Sequence, residues 1–130
     1  MNVSHAPDDM VHGSCLCGCV AYRAALPAEC ASHCYCTMCQ KSHGAAAGTY
    51  LCVASAGFLL ERGAGLVTEF ASSATGRRSF CSVCGASLFW RDTGRPQTID
   101  LALGTLQPPW TGVITRELHV ETRPTWFPHR

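Results

Sequence analysis

Alternation of apolar and polar residues runs through this chain, and a 3.6-residue repeat does not. "CVAYRA" (19–24), "GTYLCV" (48–53), "LVTEF" (66–70), Arg77 to Phe80, "SLFWR" (87–91), "TIDLAL" (98–103) and "RELHV" (116–120) are short runs of the kind that form half-buried strands. In "TIDLAL" the two-residue period places Ile99, Leu101 and Leu103 on one face. Turn formers fall between the runs: Gly63, Gly65, Gly76, Gly94 with Pro96, and Pro108 with Pro109. One short helical turn is predicted after Cys36, through "TMCQKS". No repeat, low-complexity tract or linker divides the chain. The pattern predicts one small, mostly antiparallel β domain over residues 11–130, after a polar, flexible lead-in at 1–10.

Composition sharpens this picture. Hydrophobic residues make up 47% of the 130, enough to bury a core in a single domain. The net charge is +1, charged residues are 15%, and no basic run occurs, so no nucleic-acid or anionic-membrane partner is expected. The first residues, "MNVSHAPDDMVHG", lack the cationic and apolar regions of a signal peptide. The longest apolar stretch, "GAAAGTYLCVASAGFLL", is interrupted by glycine, serine and threonine and falls short of the ~20 continuous apolar residues of a membrane span. The expectation is a soluble, cytoplasmic protein. Exposed strand edges make a homodimer a further expectation.

The ten cysteines carry the candidate chemistry. A reducing compartment disfavours a disulfide framework, and the spacings favour metal. "SCLCG" supplies Cys15 and Cys17; "CYCTMC" supplies Cys34, Cys36 and Cys39; "FCSVCG" supplies Cys81 and Cys84. The last has the form of a zinc knuckle, two thiolates on a tight turn followed by a glycine, Gly85, that can take the positive φ the turn needs. Two tetrahedral sites ask for eight donors, and these motifs offer seven. "CYCTMC" is compact enough to give three donors by itself. The pairs Cys15/Cys17 and Cys81/Cys84 are each half a site, and joining them closes a long loop of chain through metal. One centre is then closed and structural, and the other keeps an open fourth position. Cys19, Cys30 and Cys52 stand outside the motifs and are expected in the core.

Three thiolates around zinc leave a local charge of −1 and weaken its Lewis acidity, so hydrolysis by a zinc-bound hydroxide is not the natural chemistry. A soft, open site suits a guest thiol, which coordination deprotonates and holds as a nucleophile. Making or breaking a carbon–sulfur bond at a carbonyl or hemithioacetal carbon is the reaction class this implies.

"GSCLCG" (13–18), "CYCTMCQKSHGA" (34–45), "RRSFCSVCGASLF" (77–89) and a weaker "LHVETRPTW" (118–126) together resemble the glutathione-dependent formaldehyde-activating enzyme family, whose relatives include centromere protein V. The resemblance implies a β-tent of antiparallel sheets with two zinc ions. Cys15, Cys17, Cys81 and Cys84 would hold a structural zinc, and Cys34, Cys36 and Cys39 a catalytic one. It also implies a carbon–sulfur lyase that joins formaldehyde to glutathione as S-(hydroxymethyl)glutathione. The sequence departs from the family pattern at Tyr35, usually histidine, at Gln40, commonly arginine, and at His43, often serine or threonine. These differences bear on the substrate rather than on fold or metal.

Addition of a thiol to an aldehyde leaves an alkoxide that needs a proton. His43, Tyr50 and His119 are the candidates by chemistry, with His43 nearest the "CYCTMC" cysteines. Arg77 and Arg78 could hold substrate carboxylates bidentately. Trp90, Trp110, Trp126 and Phe89 read as core or pocket wall. The competing reading is a non-catalytic structural or interaction module with two closed zinc sites. It requires a fourth ligand beside "CYCTMC", from Cys19, Cys30, His33 or His43.

Overall fold

The computed structural model describes residues 9–128. Among them run β1 (Met10–Ser14), β2 (Ala21–Ala25), β3 (Cys30–Cys34), α1 (Thr37–His43), β4 (Gly48–Ala54), β5 (Phe58–Arg62), β6 (Val67–Ala71), β7 (Gly76–Cys81), β8 (Ser87–Asp92), β9 (Thr98–Ala102) and β10 (Arg116–Leu118). The strands form a three-stranded sheet ordered β1-β2-β5 and a seven-stranded sheet ordered β10-β3-β4-β9-β8-β7-β6. Neighbours pair antiparallel except β10, which lies parallel to β3. The protein is a single small, mostly β domain, as the alternation predicts. No helix among the described residues is long and apolar enough to cross a membrane.

The period-two pattern decides which face of the large sheet does what. Leu51 and Val53 of β4 and Leu101 of β9 are fully buried against the small sheet, together with Tyr22 of β2 and Leu88 of β8. Phe89 and Phe58 pack edge to face at 4.9 Å between ring centroids, and Tyr22 meets Phe89 in the same way at 5.0 Å, so an aromatic cluster joins the two sheets. The alternate residues face the other way. Cys30 pairs in register with Cys52, Cys52 with Asp100, Asp100 with Trp90 and Trp90 with Arg78, which lines up one row across β3, β4, β9, β8 and β7, and Ser32 and Tyr50 pair in the next row on the same face. This second face carries the cleft described below.

Several expectations are corrected. β1, β3 and β5 are strands that the alternation did not mark. "MVHGS" and "CASHC" are poor in β-branched residues, and "FLLER" does not alternate cleanly. Met10, placed in the expected lead-in, opens β1 opposite Ala25, while residues 1–8 lie outside the described residues. The strand expected from Cys19 begins at Ala21, because Gly18 at φ +80 turns the chain just before it. The last strand stops at Leu118, because His119 adopts φ +57. Leu103 leaves β9 for a 3-10 turn yet still packs on the core with Ile99. Cys19 is exposed, and Cys30 and Cys52 are only half-buried, so none of the three is a core residue. Cys52 sits instead on the cleft face, directly across from Cys30 on the neighbouring strand. Trp126 is 69% exposed and is not a core residue.

Candidate metal centres and cleft

Two turns, each with a glycine in the left-handed region, bring four sulfurs together. Between β7 and β8, Gly85 takes φ +77 and its N–H donates to the Cys81 carbonyl at 2.8 Å, while the Val83 N–H points at Cys81 Sγ at 3.4 Å. Between β1 and β2, Gly18 takes φ +80 and donates to the Cys15 carbonyl, and the Val20 N–H points at Cys15 Sγ at 3.3 Å. Open space surrounds both glycines, so the positive φ, not crowding, requires them. The ligand atoms of Cys15, Cys17, Cys81 and Cys84 all lie within 4.8 Å of one another. One turn belongs to the small sheet and the other to the large sheet, so the cluster staples the two together.

Cys34, Cys36 and Cys39 form a second group within the same 4.8 Å limit. Cys34 ends β3. Cys36 caps the N-terminus of α1 and accepts the Cys39 N–H at 3.3 Å. Cys39 is buried inside the helix, which closes on Gly44 in the left-handed conformation. Among the described residues no fourth His, Cys, Asp or Glu joins this group. Burial pushes the Cys34 thiol up to about 12. Burial also opposes ionisation of Cys36, but the Cys39 N–H and neighbouring groups including Arg78 draw its thiol below the ordinary value. Three sulfurs this close cannot all ionise without a cation among them, and a soft divalent metal is the cation that such donors select. Both donor sets fit metal binding, four thiols closed and three open.

The three cysteines form part of the wall of a cavity of about 230 Å³, shared with Met38, Trp90 and Asp100. Tyr50 and Arg78 stand at its base. Tyr50 Oη lies 3.4 Å from Cys39 Sγ and 3.0 Å from His43 Nε2. Arg78 donates from Nη1 to Tyr50 Oη at 3.3 Å, and from Nη1 and Nη2 to Cys39 Sγ at 3.6 Å. Burial, reinforced by the Arg78 charge, holds His43 below the ordinary histidine value. A sulfur, a hydroxyl and an imidazole are therefore joined in one chain of contacts. A second cavity of about 380 Å³ adjoins the first through Met38, Ser72 and Arg78 and reaches Lys41 and Phe70.

The sequence profile of the glutathione-dependent formaldehyde-activating enzymes matches residues 10–122. The chain belongs to that family. A Rhodobacter sphaeroides protein, solved as a structural-genomics target, shares the fold at a TM-score of 0.68 and 20% identity, covering 82% of this chain and 98% of its own. At that identity the likeness speaks for the fold. No curated protein matches the chain.

Of the residues that the formaldehyde-activating resemblance and simple chemistry singled out, His43, Tyr50 and Arg78 converge beside Cys39. His119 lines the same cavity, with Nδ1 3.5 Å from a Glu121 carboxylate oxygen. Arg77 is not at the site: it lies on the other face of β7 and donates to the carbonyls of Ser73, Ala74 and Gly76. None of the residues considered for a fourth ligand joins the three cysteines. His33 bonds Thr49 at 2.8 Å, and Cys19 and Cys30 lie elsewhere. The sequence missed Asp100, which the alternation placed on a strand without a role. It could have been found from its register opposite Cys52 once β4 and β9 were paired.

Proposed function

We propose that the protein is a zinc-dependent, carbon–sulfur lyase-type enzyme acting on a thiol adduct, in the manner of S-(hydroxymethyl)glutathione synthase. The observation that carries this reading is the three-cysteine group, which faces a cavity and has no fourth side-chain donor. Cys34, Cys36 and Cys39 would hold the open zinc, and Cys15, Cys17, Cys81 and Cys84 the structural one. Zinc bound at the open site supplies a soft position where a small thiol such as glutathione loses its proton and is held as a nucleophile. The non-catalytic module is disfavoured, because its missing ligand is not beside Cys36.

Tyr50 and Arg78 in the cavity wall, with His43 in contact with Tyr50, manage the proton. As the thiol sulfur adds to the aldehyde carbon, a C–S bond forms and the C=O π pair moves onto oxygen. The proton released from the thiol passes through Tyr50 Oη to His43 Nε2 and returns to that oxygen, giving the hydroxymethyl thioether with no net change in protons. Burial keeps His43 neutral near pH 7 and able to accept. Arg78, hydrogen-bonded to both Tyr50 and Cys39, keeps the hydroxyl aimed at the reacting atoms. We place the protein in a reducing compartment such as the cytoplasm, which keeps cysteines available to metal.

Calorimetric titration of glutathione into zinc-loaded protein tests the reading. Wild type is expected to bind, and Cys36→Ser to lose binding while keeping the four-cysteine metal. If wild type binds no small thiol at all, the reading falls.

A further inference from the structure

Asp100, on β9, faces the cleft. It lines the 230 Å³ cavity together with the three cysteines, and it makes no ion pair among the described residues. Its side-chain neighbour is the Cys52 thiol, and burial holds its carboxyl above the ordinary aspartate value. Arg95 and Arg116 pull in the other direction from farther away, and neither lines the cavity. Half-burying a carboxylate in a cavity also lined by Trp90, Met38 and Leu118 is unfavourable unless something positive meets it.

The cavity contains no spare cation to do so. Arg78 is committed, with Nη1 and Nη2 on Cys39 and Nη1 on Tyr50, and its buried Nε has no partner. His119 faces Glu121. Three thiolates exceed the charge of one divalent ion by one. Arg78, donating to Cys39, offsets that excess, so the charge left uncompensated in the cavity is that of Asp100, which favours a guest carrying a positive group.

We infer that the thiol bound in this cleft carries an ammonium group, and that Asp100 is the residue that reads it. This rests on the open-site reading above and adds a substrate class to it: aminothiols, free or as the amino end of a larger thiol, are preferred over neutral or purely anionic ones. Asp100 accepts the ammonium N–H while the sulfur approaches the three cysteines from the same cavity. A charge-assisted pair in a partly buried place contributes about tenfold or more in affinity.

The test uses thiols with two carbons between sulfur and a polar end: cysteamine, N-acetylcysteamine, 2-mercaptoethanol and 3-mercaptopropionate. Each is titrated calorimetrically into zinc-loaded wild type and Asp100→Asn, with zinc content measured for both. Wild type is expected to bind cysteamine about tenfold or more tighter than its N-acetyl form. In Asp100→Asn that ratio should fall by about tenfold while 2-mercaptoethanol binds unchanged; using the ratio between proteins removes the different acidities of the thiols. If the four thiols bind and the cysteamine preference is the same in both proteins, the inference is overturned while the open-site reading survives. If no thiol binds wild type, the open-site reading itself fails. Should Asp100→Asn lose its metal, wild type alone still decides, because equal affinity for cysteamine and N-acetylcysteamine contradicts the inference.

Discussion

His43 is a half-buried imidazole at the end of α1, with the Tyr50 hydroxyl at 3.0 Å and the Arg78 charge nearby. Burial lowers its proton affinity first, and Arg78 lowers it further, so the neutral form persists below the ordinary value of 6.5. A neutral base is lost only when it gains a proton. Turnover should therefore be level through neutral pH and fall on the acid side, with the fall lying below pH 6.5. His43→Gln should lower kcat by about a hundredfold with little change in KM, measured as adduct formation under saturating thiol. An unchanged kcat would remove His43 from the proton path. At Gly85 the demand is backbone geometry: φ is +77 with no neighbour within reach of a Cβ. Gly85→Ala should destabilise by about 1–2 kcal/mol through left-handed strain alone, read as a shift in the urea midpoint at constant slope. The sequence shows this glycine plainly, because the knuckle spacing fixes which residue must turn. It does not show Asp100, because nothing near Asp100 in the chain hints that β4 delivers Cys52 to its side.

At the scale of elements, α1 was legible and β3 was not. α1 has signals that act within a few residues: Cys36 caps it, and Gly44 ends it. β3 is held by partners distant in sequence, β4 on one side and β10 on the other, and its own residues are small. Tyr35, one of the departures from the family pattern, is part of that hold. Its hydroxyl donates to Glu117 Oε1 at 2.8 Å, and Arg123 stacks over its ring at 5.3 Å. Gln40, another departure, donates to the carbonyls of Tyr35 and Thr122 at 2.8 and 3.0 Å. Both substitutions tie the segment from β10 onward to the helix end of the cysteine site, where Leu118 and His119 wall the cavity. Tyr35→Phe keeps the ring and removes the hydroxyl. It should cost about 1 kcal/mol and speed hydrogen exchange at the β10 amides more than at β4 or β9. Equal acceleration across the sheet would contradict a local role.

The whole molecule is two sheets joined by an aromatic cluster and by one set of four sulfurs, while the other three sulfurs open onto the cleft. That division follows from topology: Cys15 and Cys17 belong to the turn of the small sheet, Cys81 and Cys84 to a turn of the large one. The spacing of the motifs announces the two groups, and only the fold shows that one of them bridges the sheets. Cys81→Ser should therefore lower the melting temperature sharply and lose metal, since a metal that binds only the folded form contributes to its stability. Cys36→Ser should melt close to wild type, retaining one metal per chain. Similar melting for the two variants would mean that the groups do not differ in structural weight. The central claim is that seven cysteine sulfurs serve two metals and leave one position free. Zinc content combined with zinc-edge X-ray absorption on the native protein tests it most directly. The account expects two zinc ions per chain, seven sulfur ligands shared between them, and one lighter-atom ligand that an added thiol replaces with an eighth sulfur. A single zinc per chain, or two zincs whose sulfur count does not rise when thiol is added, would contradict it.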